Sequence, residues 1–435
     1  MKRLVPWFLM AAMLFNLAAC GEGGRTQQSD MIAAKLVAGP VYPEKISFDD
    51  TDKLNERWEK NPIQNETLEA INRFSYNTSA KVLGEVQTNA CYSPLSLYYA
   101  LALAASGADG TTRDELTALL GIGDVADLSQ QCGNLYCQLY TVYSENEIAK
   151  LKIANSLWLD HEVNGRKVAF KDRFLENATA NFYASLFTVN FANEEAGEAM
   201  GRWISENTEG TITPEFEVNP DQIMNIINTV YFCDEWIDRF YVENTKADTF
   251  YLENGDGVTC DFMNITDNSS FYKGDGYIRS DRQLKGNGMM VFILPDEGTS
   301  VNDLLATPEK IQEIFTHGDK KYGKVVWSVP KFEYSSSFSL IDALKELGVK
   351  AAFSKEDADF SGMTDQLPYI SGVTQETHIS IDEKGVEASA YTEIEYVGAG
   401  RPEDNAEMIL NRPFIYGIKV AGTLLVVGVC KNPAS

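Results

Sequence analysis

Residues 383–396, with the sequence EKGVEASAYTEIEY, alternate between two kinds of side chain, and this alternation decides how the rest of the chain is interpreted. The even positions from 386 onward are apolar or uncharged: Val386, Ala388, Ala390, Thr392, Ile394 and Tyr396. Successive side chains of a β-strand face opposite sides, so this face can lie on a core while the odd-numbered face meets water. Gly385 supplies a permissive hinge, and no proline interrupts the segment before Pro402. The pattern therefore predicts a segment that can form a strand.

The next residues, 397–405, have the sequence VGAGRPEDN. Their glycines and charges favour an exposed loop, and such loop tips are preferred sites of proteolytic cleavage. A plain edge strand followed by a turn is an alternative that the pattern alone leaves open.

The remainder of the chain predicts an α+β fold in a single domain covering residues 61–435. Helices are expected over 65–83, from Ser93 to Gly107, from 111 to 120 before Gly121, and over 339–347. The second of these is apolar nearly all round, so we expect it to be buried. Strands are expected over 183–191, 225–232, 288–294, 323–332 and 414–429.

The N-terminus, MKRLVPWFLMAAMLFNLAAC, has the layout of a signal peptide over residues 1–19. Leu17-Ala18-Ala19-Cys20 resembles the lipobox of bacterial lipoproteins, which implies a lipid anchor on Cys20 and export to the periplasmic or outer face of a bacterial membrane. An ordinary signal peptide, with Cys20 an incidental thiol, is the alternative. Residues 20–60 are predicted to be a tether.

Composition argues against several functional classes. The net charge of −26 disfavours a nucleic-acid partner. The three histidines lie at no metal-ligand or triad spacing, and the chain has no G-x-S-x-G, Walker or dinucleotide motif. We therefore expect no metal, no cofactor and no enzyme activity. Cys91, Cys233 and Cys430 are expected to be small buried hydrophobic residues, whereas a bridge between Cys132 and Cys137 stays open.

Several ordered motifs between about Asn65 and Pro433 resemble those of one family. They are Asn89 with Ser93-Pro94-Leu95-Ser96, GADGTTRDEL at 107–116, NSLW at 155–158, WISENTEGTI at 203–212, INTVYF at 227–232 with Trp236, IDEKGVEA at 381–388, NRPF at 411–414 and GVCKNP at 428–433. The chain thus resembles the serpins.

The resemblance implies three β-sheets, about eight or nine helices and an exposed reactive-centre loop. It also implies inhibition by a suicide-substrate mechanism, in which a protease acylates the loop and the loop then inserts into the main sheet. The implied hinge and inserting residues are Glu383, Gly385, Val386, Ala388, Ala390 and Thr392. The implied sheet-opening residues are Asn89, Ser93, Ser96, Asn228, Trp236 and Gln375. Two departures from the family are Gln375, where many serpins have histidine, and the bulky Tyr391.

Counting the family's usual seventeen residues from Glu383 puts the scissile bond between Ala399 and Gly400. Val397–Gly398 is an alternative, and Arg401 ranks behind both because Pro402 makes the following bond a poor substrate. A small apolar residue before the bond favours an elastase-like serine protease, with papain-like cysteine proteases as further targets. The expected partner is an endopeptidase in covalent complex with a monomeric inhibitor. A non-inhibitory serpin acting as a binding or scaffold lipoprotein is the alternative function.

Overall fold

The computed structural model describes residues 34–47, 50–144, 146, 148–163, 165–216, 219–386 and 404–435. Within these ranges the α-helices are Thr51–Lys60 (α1), Asn65–Leu83 (α2), Pro94–Gly107 (α3), Gly110–Leu120 (α4), Val125–Tyr143 (α5), Asp172–Asn181 (α6), Glu195–Asn207 (α7), Val301–Leu305 (α8), Pro308–Thr316 (α9) and Ile341–Glu346 (α10).

The strands of the same ranges are Ala34–Ala38 (β1), Ala90–Tyr92 (β2), Lys150–Asp160 (β3), Glu162–Val163 (β4), Arg166–Lys167 (β5), Ala184–Val189 (β6), Met224–Glu235 (β7), Lys246–Tyr251 (β8), Gly257–Gly274 (β9), Tyr277–Gln283 (β10), Met289–Pro295 (β11), Asp319–Pro330 (β12), Phe332–Ser339 (β13), Gly372–Ile381 (β14), Gly385–Val386 (β15), Asp404–Ile409 (β16), Phe414–Val420 (β17) and Thr423–Cys430 (β18).

These strands form three sheets, as expected for an α+β fold. The seven-stranded sheet, called sheet A below, has the order β1-β6-β3-β7-β15-β14-β13. A nine-stranded sheet has the order β16-β12-β9-β10-β11-β17-β18-β2, with β8 paired to β9, and β4 and β5 form a separate hairpin. Every described residue belongs to one compact unit.

Helix α3 lies at the centre of the main core, as its all-round apolar sequence predicts. Ser93 caps it by accepting the backbone N–H of Ser96, and Pro94 occupies the first turn, where a missing N–H costs nothing. The helix packs against β3 and β7 of sheet A and against β18 of the nine-stranded sheet. It therefore packs beneath the central strands of sheet A.

The opposite face of sheet A is covered by α7. Met200, Trp203 and Ile204 of this helix form a second hydrophobic cluster with Trp158 of β3 and Ile227 of β7. The middle of sheet A is thus buried on both sides, which fixes the register of its strands.

The folded domain begins earlier than the predicted tether, 20–60, allows. Strand β1 pairs antiparallel with β6 at the edge of sheet A, and α1 buries Leu54. The tether prediction failed here because the short apolar run in β1 lies within a polar stretch, and its partner is about 150 residues farther along the chain. Residues 1–33, with the predicted signal peptide and Cys20, lie outside the described residues.

Three further element boundaries differ from the prediction. The strand expected over 414–429 is a hairpin, because Ala421 and Gly422, at φ 46° and 78°, form a turn between β17 and β18. The strand expected to reach Phe332 ends at Pro330, and Phe332 opens β13. Ser339 lies in β13, opposite Thr374, so helix α10 starts only at Ile341.

Two findings concern covalent links and membranes. The six described cysteines are all unbridged, so Cys132 and Cys137 form no disulfide, and Cys91, Cys233 and Cys430 are buried as expected. None of the helices in the described ranges has the length and apolar character needed to span a bilayer.

Candidate functional site

Sheet A is closed at one end and split at the other. Strands β7 and β14 pair in parallel from Gly372 opposite Asn225 to Thr377 opposite Val230. Farther along, β15 lies between them: Gly385 pairs with Glu235 and Val386 with Asp234 on β7, and Val386 also pairs with Ile381 on β14. The chain after β14 thus turns back and enters the sheet as the first two residues of an additional central strand. The gap that receives it is called the fissure below.

Gly385 has no side chain for a structural reason. A Cβ at this position would lie 2.0 Å from the carbonyl oxygen of Asp234 and 2.7 Å from the Cα of Glu235. Its neighbour Val386 is 1% exposed and faces the core, as the alternation predicts. Only glycine lets the backbone approach β7 this closely.

Four residues fix the turn that leads into β15, and they are called the hinge clamp: Trp236, Phe240, Thr245 and Lys331. The backbone N–H of Trp236 donates to the Lys384 carbonyl at 2.9 Å, and its indole N–H donates to the Asp382 carbonyl at 3.0 Å. The Phe240 N–H donates to the Glu383 carbonyl at 3.1 Å. The segment that follows β7 therefore satisfies three consecutive backbone carbonyls, those of residues 382–384.

The side chain of Glu383 meets the other half of the clamp. The Lys331 ammonium lies 2.9 Å from its carboxylate, and the Thr245 hydroxyl donates to it at 2.7 Å. Burial alone would raise the pKa of Glu383, but the hydrogen bonds from Thr245 and Lys331 leave that pKa below its usual value. Glu383 therefore remains a carboxylate that anchors the hinge by charge as well as by backbone contacts.

A buried carboxylate lies directly beneath the hinge. The Asp234 side chain is fully buried and accepts the backbone N–H of Gly286 at 3.0 Å and that of Glu235 at 2.8 Å. Burial raises its pKa to about 7, although these hydrogen bonds oppose the shift. The neighbouring Glu235 pairs with Lys285 at 2.7 Å. A titratable group thus lies next to the first inserted residues.

A polar bridge joins the closed half of the fissure to α3, and it comprises Ser93, Ser96, Asn155, Asn228 and Gln375. The Gln375 amide accepts the Ser93 N–H and donates to the Ser93 carbonyl, both at 2.8 Å, and it also donates to the Asn228 side-chain oxygen at 3.2 Å. Asn228 in turn donates to the Ser96 carbonyl at 3.0 Å and to the Asn155 side chain at 2.6 Å. Gln375 therefore links β14, β7 and the start of α3 in one buried network.

The predicted sheet-opening residues separate into three places. Ser93, Ser96, Asn228 and Gln375 come together in the polar bridge, and Trp236 lies at the other end of β7 in the hinge clamp. Asn89 lies apart from both: its amide accepts the backbone N–H groups of Lys431 and Asn432, each at 2.8 Å, and so fixes the C-terminal segment. Its assignment to the sheet-opening group stays a prediction, because its amide contacts the C-terminal segment and none of the other predicted sheet-opening residues.

The remaining predicted residues fall beyond the described ranges. The predicted inserting segment has Ala388, Ala390 and Thr392 there. The exposed loop offered to the protease, residues 397–403, is called the bait below, and it contains Val397, Gly398, Ala399, Gly400 and Arg401. The predicted lipid attachment site, Cys20, also lies outside the described ranges. Their assignments stay predictions.

Sequence reasoning missed Lys331, Thr245 and Asp234. Lys331 lies between β12 and β13, and Thr245 directly precedes β8. Both are far from Glu383 along the chain, so no local pattern indicates these contacts. The one available signal at Asp234 is an acidic residue within an otherwise apolar strand, MNIINTVYFCDE. In the described part of the chain, no group of three or more His, Cys, Asp or Glu residues is arranged to hold a metal ion.

Known proteins share this architecture. Serpin-Z7 of Hordeum vulgare is 30% identical over 368 residues, which cover 80% of this chain and 90% of that protein. The solved structure of Tengpin, a thermophilic serpin in the native state, superposes with a TM-score of 0.76 at 26% identity and covers 92% of this chain and all of its own. Thyroxine-binding globulin in complex with thyroxine shares the fold, with a TM-score of 0.73 at 23% identity over 84% of this chain and 98% of its own.

A family model described as Serpin (serine protease inhibitor) matches residues 69–433. Most proteins of that family inhibit proteases rather than catalyse a reaction, although some do not inhibit. With the split sheet, the hinge clamp and the polar bridge in place, this match assigns the protein: the chain belongs to the serpin family.

Proposed function

We propose that this protein is a suicide-substrate inhibitor of serine endopeptidases of elastase-like specificity or of papain-like cysteine endopeptidases. The observation that carries the proposal is β15, which already occupies the first two positions of an additional strand between β7 and β14. The rest of that strand would come from the residues after Val386, once a protease has cut the bait.

The registers of the two flanking strands support insertion. Continuing the pairing of Val386 with Asp234 along β7, one residue at a time, brings Thr392 opposite Asn228. Continuing its pairing with Ile381 along β14 brings Thr392 opposite Gln375. Asn228 and Gln375 are already register partners across the closed half of the fissure. A strand inserted between β7 and β14 would therefore pair with both strands without a change in their relative register.

The inward face of such a strand suits a buried site. Val386 and its partners Asp234 and Ile381 all point to the core, so the even-numbered residues that follow would do the same. These residues are small or uncharged through Tyr396, and the glutamates at 387, 393 and 395 would face outward. A charge on the inward face would have to be desolvated, which is costly.

The proposed chemistry is that of an interrupted proteolysis. The protease hydroxyl or thiolate attacks the carbonyl carbon of Ala399, and the bond to the Gly400 nitrogen breaks as that nitrogen takes a proton and leaves as a new N-terminus. Ala399 remains joined to the enzyme as an ester or thioester. Insertion of the freed strand then deforms the attached protease before water can release it. Loop insertion in serpins is a known case of strand addition driven by stored conformational energy.

The test is incubation with elastase-, papain-, subtilisin- and trypsin-like proteases, followed by denaturing electrophoresis and by mass measurement of the released C-terminal peptide. We expect an adduct that survives detergent, and a peptide that begins at Gly400. A peptide that begins at Gly398 or Pro402 would move the bond to Val397 or Arg401. If every protease merely cuts the loop, the protein is a non-inhibitory binding or scaffold serpin and the proposal fails.

A matched pair of variants separates insertion from cleavage. Val386→Arg places a charge on the buried face. Glu387→Arg places the same charge at the next position, which would face outward in an inserted strand. We expect both variants to be cut by the protease, but only Glu387→Arg to form the adduct in normal yield. Equal adduct from both variants would contradict the proposed strand insertion.

We also propose that Cys20 carries a lipid that anchors the exported protein to a bacterial membrane. The support is the lipobox-like sequence ending at Cys20. In a bacterial host, the intact chain should partition into the membrane fraction and Cys20→Ser should not. An unmodified Cys20 in the mass spectrum of the mature chain would overturn the anchor.

A further inference from the structure

Strand β1 fixes the point at which the N-terminal segment joins the folded domain. Ala34 lies opposite Val189, and Ala38 lies opposite Leu186 on β6. Strand β6 runs parallel to β3, with Val189 opposite Asp160, and β3 runs antiparallel to β7, with Leu159 opposite Met224. Ala34 is therefore at the Met224 end of sheet A.

The hinge is at the other end of the same sheet. Gly385 pairs with Glu235, and Glu235 and Met224 are the two ends of β7, eleven residue steps apart. At about 3.3 Å per residue, this separation is roughly 36 Å. The chain that precedes Ala34 and the start of the inserting segment thus leave sheet A at opposite ends.

Strand insertion would move a trapped protease from the hinge end of sheet A to the Met224 end. The same register that brings Thr392 opposite Asn228 brings Tyr396 opposite Met224. Ala399, three residues later, would then lie just past the Met224 end, with the protease attached. The enzyme would thus lie at the same end of sheet A as Ala34, where the N-terminal segment joins the domain.

The junction at Ala34 is firmly fixed. The backbone N–H of Val41 donates to the Thr179 carbonyl at 3.0 Å, and the Tyr42 ring stacks on those of Tyr140 and Tyr183 at centroid distances of 5.2 and 5.8 Å. Arg57 of α1 donates to the Glu44 carbonyl. Residues from Ala34 onward therefore add no free length between the domain and an anchor.

Only residues 21–33 remain to separate Cys20 from the domain. Fully extended, they span at most about 45–50 Å, and a flexible chain of this length has a root-mean-square span of about 20 Å. A globular protease of some 230 residues has a diameter of about 45 Å. A root-mean-square span of about 20 Å is roughly half the width of the enzyme that would have to fit between the domain and the membrane.

We infer that residues 21–33 act as a spacer whose length limits how well the membrane-anchored protein traps a protease. The inference rests on the proposed function, because it requires both the lipid on Cys20 and insertion of the cut strand. Where the spacer is too short, contact between the protease and the membrane opposes the last steps of insertion, and water then hydrolyses the acyl-enzyme.

The experiment compares four proteins: the full chain and a chain lacking residues 22–30, each with Cys20 lipidated in vesicles and each as the soluble Cys20→Ser form. The readout is the ratio of detergent-stable adduct to inhibitor cut without adduct. We expect the deletion to lower that ratio several-fold on vesicles and to leave it unchanged in solution. Replacing residues 22–30 with an equally long glycine and serine segment should restore it, because only length is required.

Each outcome can be assigned. Equal ratios for the long and short anchored chains would overturn the spacer role. An equal fall of the ratio on vesicles and in solution would overturn it as well. A chain that carries no lipid would overturn the inference and leave inhibition intact. If the soluble full chain formed no adduct with any protease, the proposed inhibitory function itself would fail.

Discussion

At the scale of single residues, the hinge depends on one carboxylate with two partners that are distant along the chain. Glu383 binds Lys331 and Thr245, and its own carbonyl accepts from Phe240. The carboxylate is mostly buried, but the Lys331 side chain is 38% exposed, so water screens part of the ion pair. The residue therefore contributes more to position than to global stability.

Glu383→Gln tests this balance, because it removes the charge and keeps an oxygen that can accept from Thr245. We expect the free energy of unfolding, measured with urea at neutral pH, to fall by about 1 kcal/mol. Because the pKa of Glu383 is lowered in the fold, the wild-type advantage should be complete above the pKa of an unfolded glutamate, and it should vanish as pH falls through the folded pKa.

The control for this variant is Glu56→Gln. Glu56 pairs with Lys60 across one helical turn, with side chains 61% and 69% exposed. We expect this change to leave the free energy of unfolding nearly unchanged, because water screens an exposed ion pair. If Glu383→Gln lowers the free energy of unfolding no more than the control does, the hinge ion pair does not contribute to stability.

Asp234 should make stability depend on pH in the opposite direction. Its pKa is about 7 in the fold, against about 4 in an unfolded chain, so the folded state keeps a proton that the unfolded state loses. The free energy of unfolding of the wild type should therefore fall, relative to Asp234→Asn, by about 3 kcal/mol as pH rises from about 4 to about 7. Urea unfolding across this range measures the difference.

Asp275→Asn, at a side chain that is 99% exposed, is the matched control and should follow the wild type at every pH. Parallel curves for the wild type and Asp234→Asn would mean that the buried carboxyl stays ionised throughout.

At the scale of elements, the polar bridge determines how firmly β7 and β14 stay together. Gln375→Leu would leave the Ser93 N–H and the Asn228 side-chain oxygen without a partner in a buried site, whereas the Ser93 carbonyl keeps the backbone N–H of Leu97. We expect the free energy of unfolding to fall by about 2–3 kcal/mol, by the usual cost of unsatisfied buried groups. Calorimetry measures the loss.

The exposed Gln312, in α9, serves as the control, and Gln312→Leu should change little. If Gln375→Leu has the same melting temperature as the wild type, the polar bridge does not hold β7 and β14 together.

The predictability of each element follows from where its determinants lie. Helices α2, α3 and α4 were predicted to within a residue or two, because their apolar spacing, the Ser93 cap and Gly121 are local signals. Strand β1 was missed because its partner β6 is far along the chain, and the Asp234 contact with Gly286 depends on a loop between two other strands. Alternation indicated Gly385 and Val386, and the family resemblance indicated Glu383, but neither indicated the hinge clamp that contacts them.

At the scale of the whole molecule, cleavage of the bait should stabilise the protein. If each of about ten newly inserted residues contributes about 1 kcal/mol through backbone pairing, and 1 kcal/mol corresponds to about 2 °C in a chain of this size, the melting midpoint should rise by roughly 20 °C. Calorimetry before and after cutting with a catalytic amount of protease measures this shift. Val386→Arg, cut at the same bond, should gain little, and a cut wild type that melts where the uncut one does would exclude insertion.

The matched registers of β7 and β14 also constrain how this protein can evolve. Adding or removing one residue between Val386 and Glu393 would turn every later side chain of an inserted strand to the opposite face and bury Glu393 and Glu395. Residues beyond Tyr396 lie past the last available partners on β7, so no such constraint on length applies to them. Adaptation to a new protease can therefore proceed by insertions, deletions and substitutions over 397–403, whereas 386–396 can vary only by substitutions that preserve its alternation.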